Sequence, residues 1–364
     1  MKEKIVKVGI IGCGRIAGHH CTSIQEIDGI ELVAVCDLEL EKADKYGKQY
    51  NCPSYDNYHT MIKENSEINT IVIATPSGMH YLHAKDILSR YKKNLIIEKP
   101  TFMKPKHVEE IYQLAESYHV QIFSIFQNRY NAAVQRVLEG IRNSELGKIR
   151  TISVRVRWCR PQRYYDLSPW RGTYSMDGGC LSNQGIHHID LMRYLGGEVL
   201  RVSSIHRTIG AEIEVEDTAM AILEFENGAV GNLEITTAAR PDDFEASISF
   251  VCEKGLAQIG GIAVNELQVY SPNPNILREF SEDFSNNVYG NGHRKIYRDI
   301  FAALANSKPY PISFKDTLAT VKLLTSFYQS NAKKGWVNLL ENIEFGLLGQ
   351  EDLDLINLYT TREK

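Results

Sequence analysis

The sequence lacks any C-x-x-C pair: its seven cysteines, Cys13, Cys21, Cys36, Cys52, Cys159, Cys180 and Cys252, are scattered and odd in number. That pattern argues against a zinc ribbon or a disulfide scaffold and points to reduced thiols, so a cytoplasmic protein is expected. Charge of one sign is also missing, with 41 lysines and arginines against 45 aspartates and glutamates and a net charge of −4. No general binder of nucleic acid or of an anionic membrane surface is expected from that balance. No apolar run approaches the roughly 18 residues that a membrane span needs, and "MKEKIVKVG" leads into an apolar strand with no room for the core of a signal peptide. Internal repeats and low-complexity segments are absent. What remains is 364 residues, 43% hydrophobic and 24% charged, enough for two domains with substantial cores.

The first chemistry-bearing stretch is "VGIIGCGRIAGHH", residues 8 to 20. Val8 to Ile11 read as a buried strand, and Gly12-Cys13-Gly14-Arg15-Ile16-Ala17 gives G-x-G-x-x-A at the mouth of a helix. The first glycine permits a tight turn, the second lets backbone approach a pyrophosphate, and the small third residue lets helix and strand lie close. The helix N-terminus offers free N–H groups to the anion. A glycine turn alone is weak; the next strand, "ELVAVCD", ends in Asp37, 20 residues past Ala17, where a carboxylate takes the ribose hydroxyls. With Leu38 rather than arginine beside Asp37, a 2′-phosphate is repelled, so NAD is expected rather than NADP.

Short apolar runs at "TIVIATP" (70 to 76), "NLIIEKP" (94 to 100) and "VQIFSIF" (120 to 126) alternate with the helical patterns "HYLHAKDILSRY" and "KHVEEIYQLAESYH". This β-α-β alternation predicts an α/β fold with a doubly wound parallel sheet over residues 1–126. Past residue 145 the period changes to two: "KIRTISVRVRW" puts Ile152, Val154, Val156 and Trp158 on one face and arginines on the other. Hairpins are predicted around Asn227-Gly228 and Lys254-Gly255, with a further strand at "ELQVYS". The second domain, 127–336, is therefore expected to hold a large, mostly antiparallel open sheet, with amphipathic helices at "GHRKIYRDIFAALANS" and "KDTLATVKLLTSFYQSNAKK". Residues 337–364 form an extension, read as an added helix or an oligomer contact.

Ligands of open α/β sheets bind beyond the carboxyl ends of the strands, which selects Thr75-Pro76, Glu98-Lys99-Pro100 and Gln127-Asn128-Arg129. Lys99 stands out, because a lysine at a strand end can point its ammonium into the cleft, where bound nicotinamide lowers its proton affinity. Downstream, "DGGCLSNQGIHHIDLMRYLGG" places His187 and Asp190 one turn apart on a helix, and His187 suits proton transfer near neutrality. His188 reads as packing. No third ligand stands at recognisable spacing, so no metal is expected. Tyr81-x-x-x-Lys85 spells a short-chain dehydrogenase pair but lacks that family's glycine spacing and reads as coincidence.

The combination of G-x-G-x-x-A, Thr75-Pro76 with His80, Glu98-Lys99-Pro100, and G-x-H-x-x-D at Gly185, His187 and Asp190 resembles the Gfo/Idh/MocA oxidoreductases, over the chain to about residue 335. The resemblance implies an N-terminal Rossmann domain, a C-terminal α/β domain whose open sheet makes homodimers or homotetramers, and NAD(P)-dependent hydride transfer at a sugar or cyclitol secondary alcohol. It implies that Lys99 holds and polarises the reacting hydroxyl and His187 removes its proton. It also implies coenzyme contacts from Gly12, Gly14, Arg15, Ile16, Asp37, Thr75, Pro76, His80, Glu98, Lys99, Gln127, Trp170 and Arg171. One position departs: many members carry aspartate four residues before the histidine, and this chain has Asn183, whose amide cannot accept a proton. Asn183 is cast instead as orienting a substrate hydroxyl.

Between Arg155 and Arg171 there are five arginines (155, 157, 160, 163, 171) and one acid, Asp166, a local balance of +4 in a chain whose total is −4. Arg155 and Arg157 read as the solvated side of a strand. Arg160, Arg163 and Arg171 suit phosphate or carboxylate through their fork geometry, and Tyr164, Tyr165 and Trp170 suit a sugar or base face. With "SNQGIHHID", this loop looks most like the branch acting on UDP-linked N-acetylhexosamines or their uronates at C3, with UDP-N-acetylglucosaminuronate the best fit. Asn291 and His293, at a predicted helix N-terminus, are expected to join Arg160, Arg163, Tyr165, Asn183 and His187 at that substrate. The alternatives are a cyclitol or free-sugar dehydrogenase, and a non-catalytic NAD-binding regulator.

Overall fold

Runs of branched residues buried on both faces make the first sheet. In the computed structural model, which describes residues 6–284 and 290–361, its strands are β1 (Val6–Ile11), β2 (Ile30–Cys36), β3 (Ser54–Tyr55), β4 (Thr70–Ile73), β5 (Asn94–Ile97) and β6 (Ile122–Ser124). They pair in parallel in the order β3-β2-β1-β4-β5-β6. Strand order reverses between β1 and β4, so the crevice for a ligand opens beyond their carboxyl ends, at Gly12 and Thr75. The expectation about a signal peptide falls on Met1 to Ile5, outside the described residues. Among the described residues no helix is long and apolar enough to cross a membrane, and all seven cysteines are free.

The second sheet contains β7 (Ile149–Arg157), β8 (Val199–Arg207), β9 (Thr218–Phe225), β10 (Val230–Thr236), β11 (Glu245–Cys252), β12 (Leu256–Gly260), β13 (Glu266–Tyr270) and β14 (Val337–Asn338). Its order is β13-β12-β11-β7-β10-β9-β8-β14. Both predicted hairpins are present, and Gly228 takes the positive φ of +84° that its turn requires. Strand β7 lies mid-sheet, antiparallel to β11 but parallel to β10, a pairing that period-two reading does not reveal. Ile152, Val154 and Val156 are fully buried beneath helix Ile186–Gly196, whose residues are buried on nearly every side.

After β13 the chain returns to the first lobe. Helix Gly292–Asn306 sends Ile296, Tyr297 and Ile300 into the core that holds Val6, Val8, Ile10 and Ile24. Helix Phe314–Lys333 begins with a capping box at Ser313 and Asp316 and buries Leu323, Leu324 and Phe327 in the second core. The extension is ordered through β14, the buried Ile343 and Leu348, and helix Leu353–Tyr359.

Candidate active site

The glycine turn is built for close approach on one side only. Gly12 has φ +95°, and a Cβ there would lie 2.5 Å from the Ala74 carbonyl oxygen, whereas a Cβ on Gly14 would meet nothing within 4 Å. The space above Gly14 is thus open to a ligand backbone, with the N-terminus of helix Ala17–Gln25 beside it. Asp37 Oδ2 accepts from Cys13 N at 2.7 Å and Oδ1 from Glu39 N at 3.0 Å, which fixes a carboxylate at the crevice edge with lone pairs remaining for ribose hydroxyls. These features fit NAD. Arg15 is exposed and Ile16 half-buried at the helix start. Thr75 Oγ1 lies 3.0 Å from His83 Nδ1, and the His80 ring bridges the Thr75 and Pro100 carbonyls at 2.9 Å each, tying the ends of β4 and β5 together. Pro76 leads into the turn Ser77–Met79.

Glu98 and Lys99 follow β5. Glu98 is 4% exposed, and its Oε1 lies 3.0 Å from both His20 Nε2 and His293 Nε2. Burial opposes its ionisation, yet the two imidazoles outweigh burial and hold its carboxyl well below the usual range. These three side chains hold ligand-type atoms within 4.8 Å of one another, at hydrogen-bond separations. His20 is further fixed by Tyr297 Oη at 2.9 Å. His293, expected at the substrate, is instead 1% exposed behind Lys99. Asn291 lies exposed at the start of its helix.

Lys99 Nζ crosses to the second lobe and donates to Asn183 O at 3.0 Å and Asn183 Oδ1 at 3.2 Å. Burial lowers its proton affinity, against the pull of Glu98 and Asp177. Asn183 sits on a π-helical turn, Cys180–Gln184, of the kind that recurs at functional sites. Glu216 fixes that turn: its Oε1 accepts from Leu181 N at 3.0 Å and Tyr328 Oη at 2.8 Å, and burial raises its carboxyl to about 8. On the following helix, His187 Nε2 lies 3.0 Å from Gln127 Nε2, so an amide N–H donates to an unprotonated ring nitrogen. Burial, then the Lys99 charge, holds His187 well below its ordinary range, and a neutral imidazole beside the cleft can accept a proton. Asp190 makes no hydrogen bond to His187 among the described residues. It takes a two-bond fork from Arg129, at 2.7 Å each, and the Thr320 hydroxyl at 2.7 Å.

The arginine loop is less cationic in space than in sequence. Arg157 forks onto Glu234 across the sheet at 2.7 and 2.8 Å, Arg155 lies 3.7 Å from Glu245, and Arg160 binds Asp243 at 2.8 Å. Neither Arg163 nor Arg171 has a carboxylate partner among the described residues. Arg171 stacks on Tyr164 and Trp170, at 4.4 and 4.5 Å, and bonds Tyr164 Oη at 2.5 Å. Tyr165, singled out with the substrate residues, is 6% exposed with its hydroxyl 2.9 Å from Thr237 Oγ1; Tyr164 is the ring beside the arginines. Tyr81 and Lys85 lie on an exposed helix face with Glu110, away from the crevice.

Sequence reasoning missed Asp177, His20 and Glu216. Asp177 is 1% exposed; its Oδ1 accepts from Asn183 Nδ2 at 2.5 Å and its Oδ2 from Gly172 N at 2.8 Å. Gly78 N donates to Met176 O at 3.1 Å, docking this loop on the turn after β4. The signal available was its place beside the glycines of "DGGC".

A model of the oxidoreductase family with an NAD-binding Rossmann fold matches residues 6–126, and a model of the GFO/IDH/MocA C-terminal domain matches residues 134–258. The glucose-6-phosphate 3-dehydrogenase of Bacillus subtilis is 26% identical over 282 residues, 75% of this chain and 76% of that protein. The WlbA dehydrogenase from Bordetella pertussis, in complex with NADH and UDP-GlcNAcA, superposes with a TM-score of 0.87 at 30% identity, over 94% of this chain and 100% of that one. The WlbA dehydrogenase from Chromobacterium violaceum, in complex with the same pair, gives 0.85 at 28% identity, over 95% and 98%.

Proposed function

The chain belongs to the Gfo/Idh/MocA family of NAD-binding oxidoreductases, and from that premise we propose that it oxidises the C3 hydroxyl of a UDP-linked N-acetylhexosamine uronate, UDP-GlcNAcA, to the 3-keto sugar for surface-polysaccharide biosynthesis. The observation that carries this reading is the meeting of Lys99, borne on the coenzyme lobe, with Asn183 of the second lobe, next to a neutral His187. Bound NAD supplies the hydride acceptor. Lys99 Nζ, with two of its N–H bonds directed at Asn183, presents the remaining one to the C3 hydroxyl and polarises it. His187 takes the hydroxyl proton on Nε2 as the hydride leaves C3, the Gln127 amide N–H giving up that lone pair. Gln127 keeps the His187 ring oriented.

Arg171 and Arg163, the loop arginines without carboxylate partners, suit the diphosphate and the uronate, with Tyr164 and Trp170 covering a flat face. Whole-length similarity to the WlbA enzymes supports the choice of sugar nucleotide. The outer face of the second sheet exposes Ile205, Met220 and Ile222 by 53–59%, an apolar surface suited to a homodimer or homotetramer. The test offers NAD with UDP-GlcNAcA, UDP-GlcNAc, glucose 6-phosphate or myo-inositol and follows absorbance of reduced nicotinamide. Turnover is expected with the UDP-sugars, fastest with the uronate. Turnover of the unlinked sugar or cyclitol alone would replace the substrate, and NAD binding without any turnover would make the protein a sensor.

A further inference from the structure

Asn183 leaves Lys99 without the neighbouring carboxylate that many relatives were expected to carry at that position. The structure supplies a carboxylate one bond further back. Asn183 Oδ1 accepts from Lys99 Nζ at 3.2 Å while its Nδ2 donates to Asp177 Oδ1 at 2.5 Å, and Asp177 Oδ2 is held by Gly172 N. An amide has one accepting end and one donating end. Were it reversed, Nδ2 would face the lysine nitrogen and Oδ1 would face a carboxylate, so both contacts would become repulsive. The lysine ammonium, donor only, and the carboxylate at 177, acceptor on every lone pair, enforce the observed orientation from its two ends.

We propose that Asp177 is a positioning residue for hydride transfer: it locks the Asn183 amide with its oxygen toward Lys99 and supplies, through that amide, the negative charge that position 183 lacks. The inference rests on Lys99 being the residue that engages the reacting hydroxyl. The groups that face Lys99 are Glu98 beside it, Asp177, Arg160 and Arg171 from the loop after β7, and His187 from the following helix. Two of these are anionic and two are permanent cations, so removing one anion tilts the balance. Asp177 itself is 1% exposed, and a buried charge acts on a neighbour with little screening.

The test reads Lys99 directly, by carbon-13 titration of its Cε in the coenzyme-free protein, with the signal assigned by its loss in Lys99→Met. Asp177→Asn keeps shape and removes charge; the Lys99 midpoint is expected to fall by about one pH unit. The pH profile of kcat/KM for the UDP-sugar is expected to move in parallel. The charge-swapped double variant, Asp177→Asn with Asn183→Asp, returns the midpoint to the wild-type value or above it. Asn183→Ala severs the relay from its other end, and its midpoint falls as well, which keeps the test open should Asp177→Asn fail to fold. Midpoints within about 0.2 unit of wild type in every folded single variant overturn the proposal. If no UDP-sugar is turned over by the wild type, the substrate assignment fails, and the coenzyme-free titration still decides the role of Asp177.

Discussion

Glu98 and Asp177 flank the same lysine, one from each lobe, and both are almost wholly buried, at 4% and 1% exposure. Their proton affinities nevertheless move in opposite directions. Glu98 is held well below the usual carboxylate range by two imidazoles that share its Oε1. Asp177 is pushed up by burial, which the Gly172 N–H, the charge of Arg171 and the Asn183 amide only partly offset. Burial alone therefore does not decide the state of a carboxylate in this cleft; the side-chain hydrogen bonds it receives decide it as well. On the coenzyme side the anion is settled and structural, and on the substrate side it is strained and poised to act through its neighbour.

The widest way to break this comparison is to remove the group both carboxylates face. Lys99→Met is expected to lower turnover about a thousandfold or more while leaving the NAD dissociation constant within about threefold, checked by steady-state kinetics and calorimetry. Next, Glu98→Ala strips two buried imidazoles of their shared acceptor and is expected to cost about 3 kcal/mol by denaturant unfolding. Asp177→Asn removes a charge that burial penalises, so its unfolding free energy should stay within about 1 kcal/mol of wild type or rise slightly.

A fourth prediction sets Glu98 against the buried histidines by pH. His83 and His206 are held at about 3 and His188 at about 4 by burial. The unfolded chain protonates these near pH 6.5 while the folded chain does not, so their contribution is complete above 6.5 and is lost as pH falls from 6.5 toward 4 for His188 and toward 3 for His83 and His206. Glu98, depressed below its unfolded value of 4.5, adds stability that is full above 4.5 and disappears only below it. A plot of Tm against pH should therefore begin to fall below 6.5 and steepen below 4.5, and Glu98→Gln should remove only the added steepness. The smallest effect on turnover gives the neutral baseline: Tyr165→Phe removes one buried hydroxyl pair with Thr237 and should cost about 1 kcal/mol of stability with the UDP-sugar KM unchanged.

Features that rest on local spacing were legible in the sequence. The turn at Gly12, the acid closing β2, the lysine after β5 and the alternation of Ile152, Val154 and Val156 all follow from residues within one element or one turn. The two sheets and both hairpins followed from the same kind of pattern. Features made by distant partners were not legible. Glu98 meets His20 and His293 across 78 and 195 residues, and no periodicity links three such positions. Arg160 looked free because Asp243 stands 83 residues away. Tyr164 and Tyr165 are neighbours whose order in sequence cannot tell which ring is turned to the core. Asp177 was hidden by its glycines, since a residue in a tight loop carries no face until the loop docks.

Helix Gly292–Asn306 carries Ile296, Tyr297 and Ile300 beneath β1, and with them His293 against Glu98. During synthesis, a nascent chain of the first 126 residues must wait for a segment made much later before its apolar floor is covered. The N-terminal lobe is thus a room whose last wall is delivered from the far end of the polypeptide. A truncated fragment ending at β6 would leave Val8, Ile10 and Ile24 facing water on that side, prone to aggregation and lacking the histidine that completes the carboxylate beside Lys99.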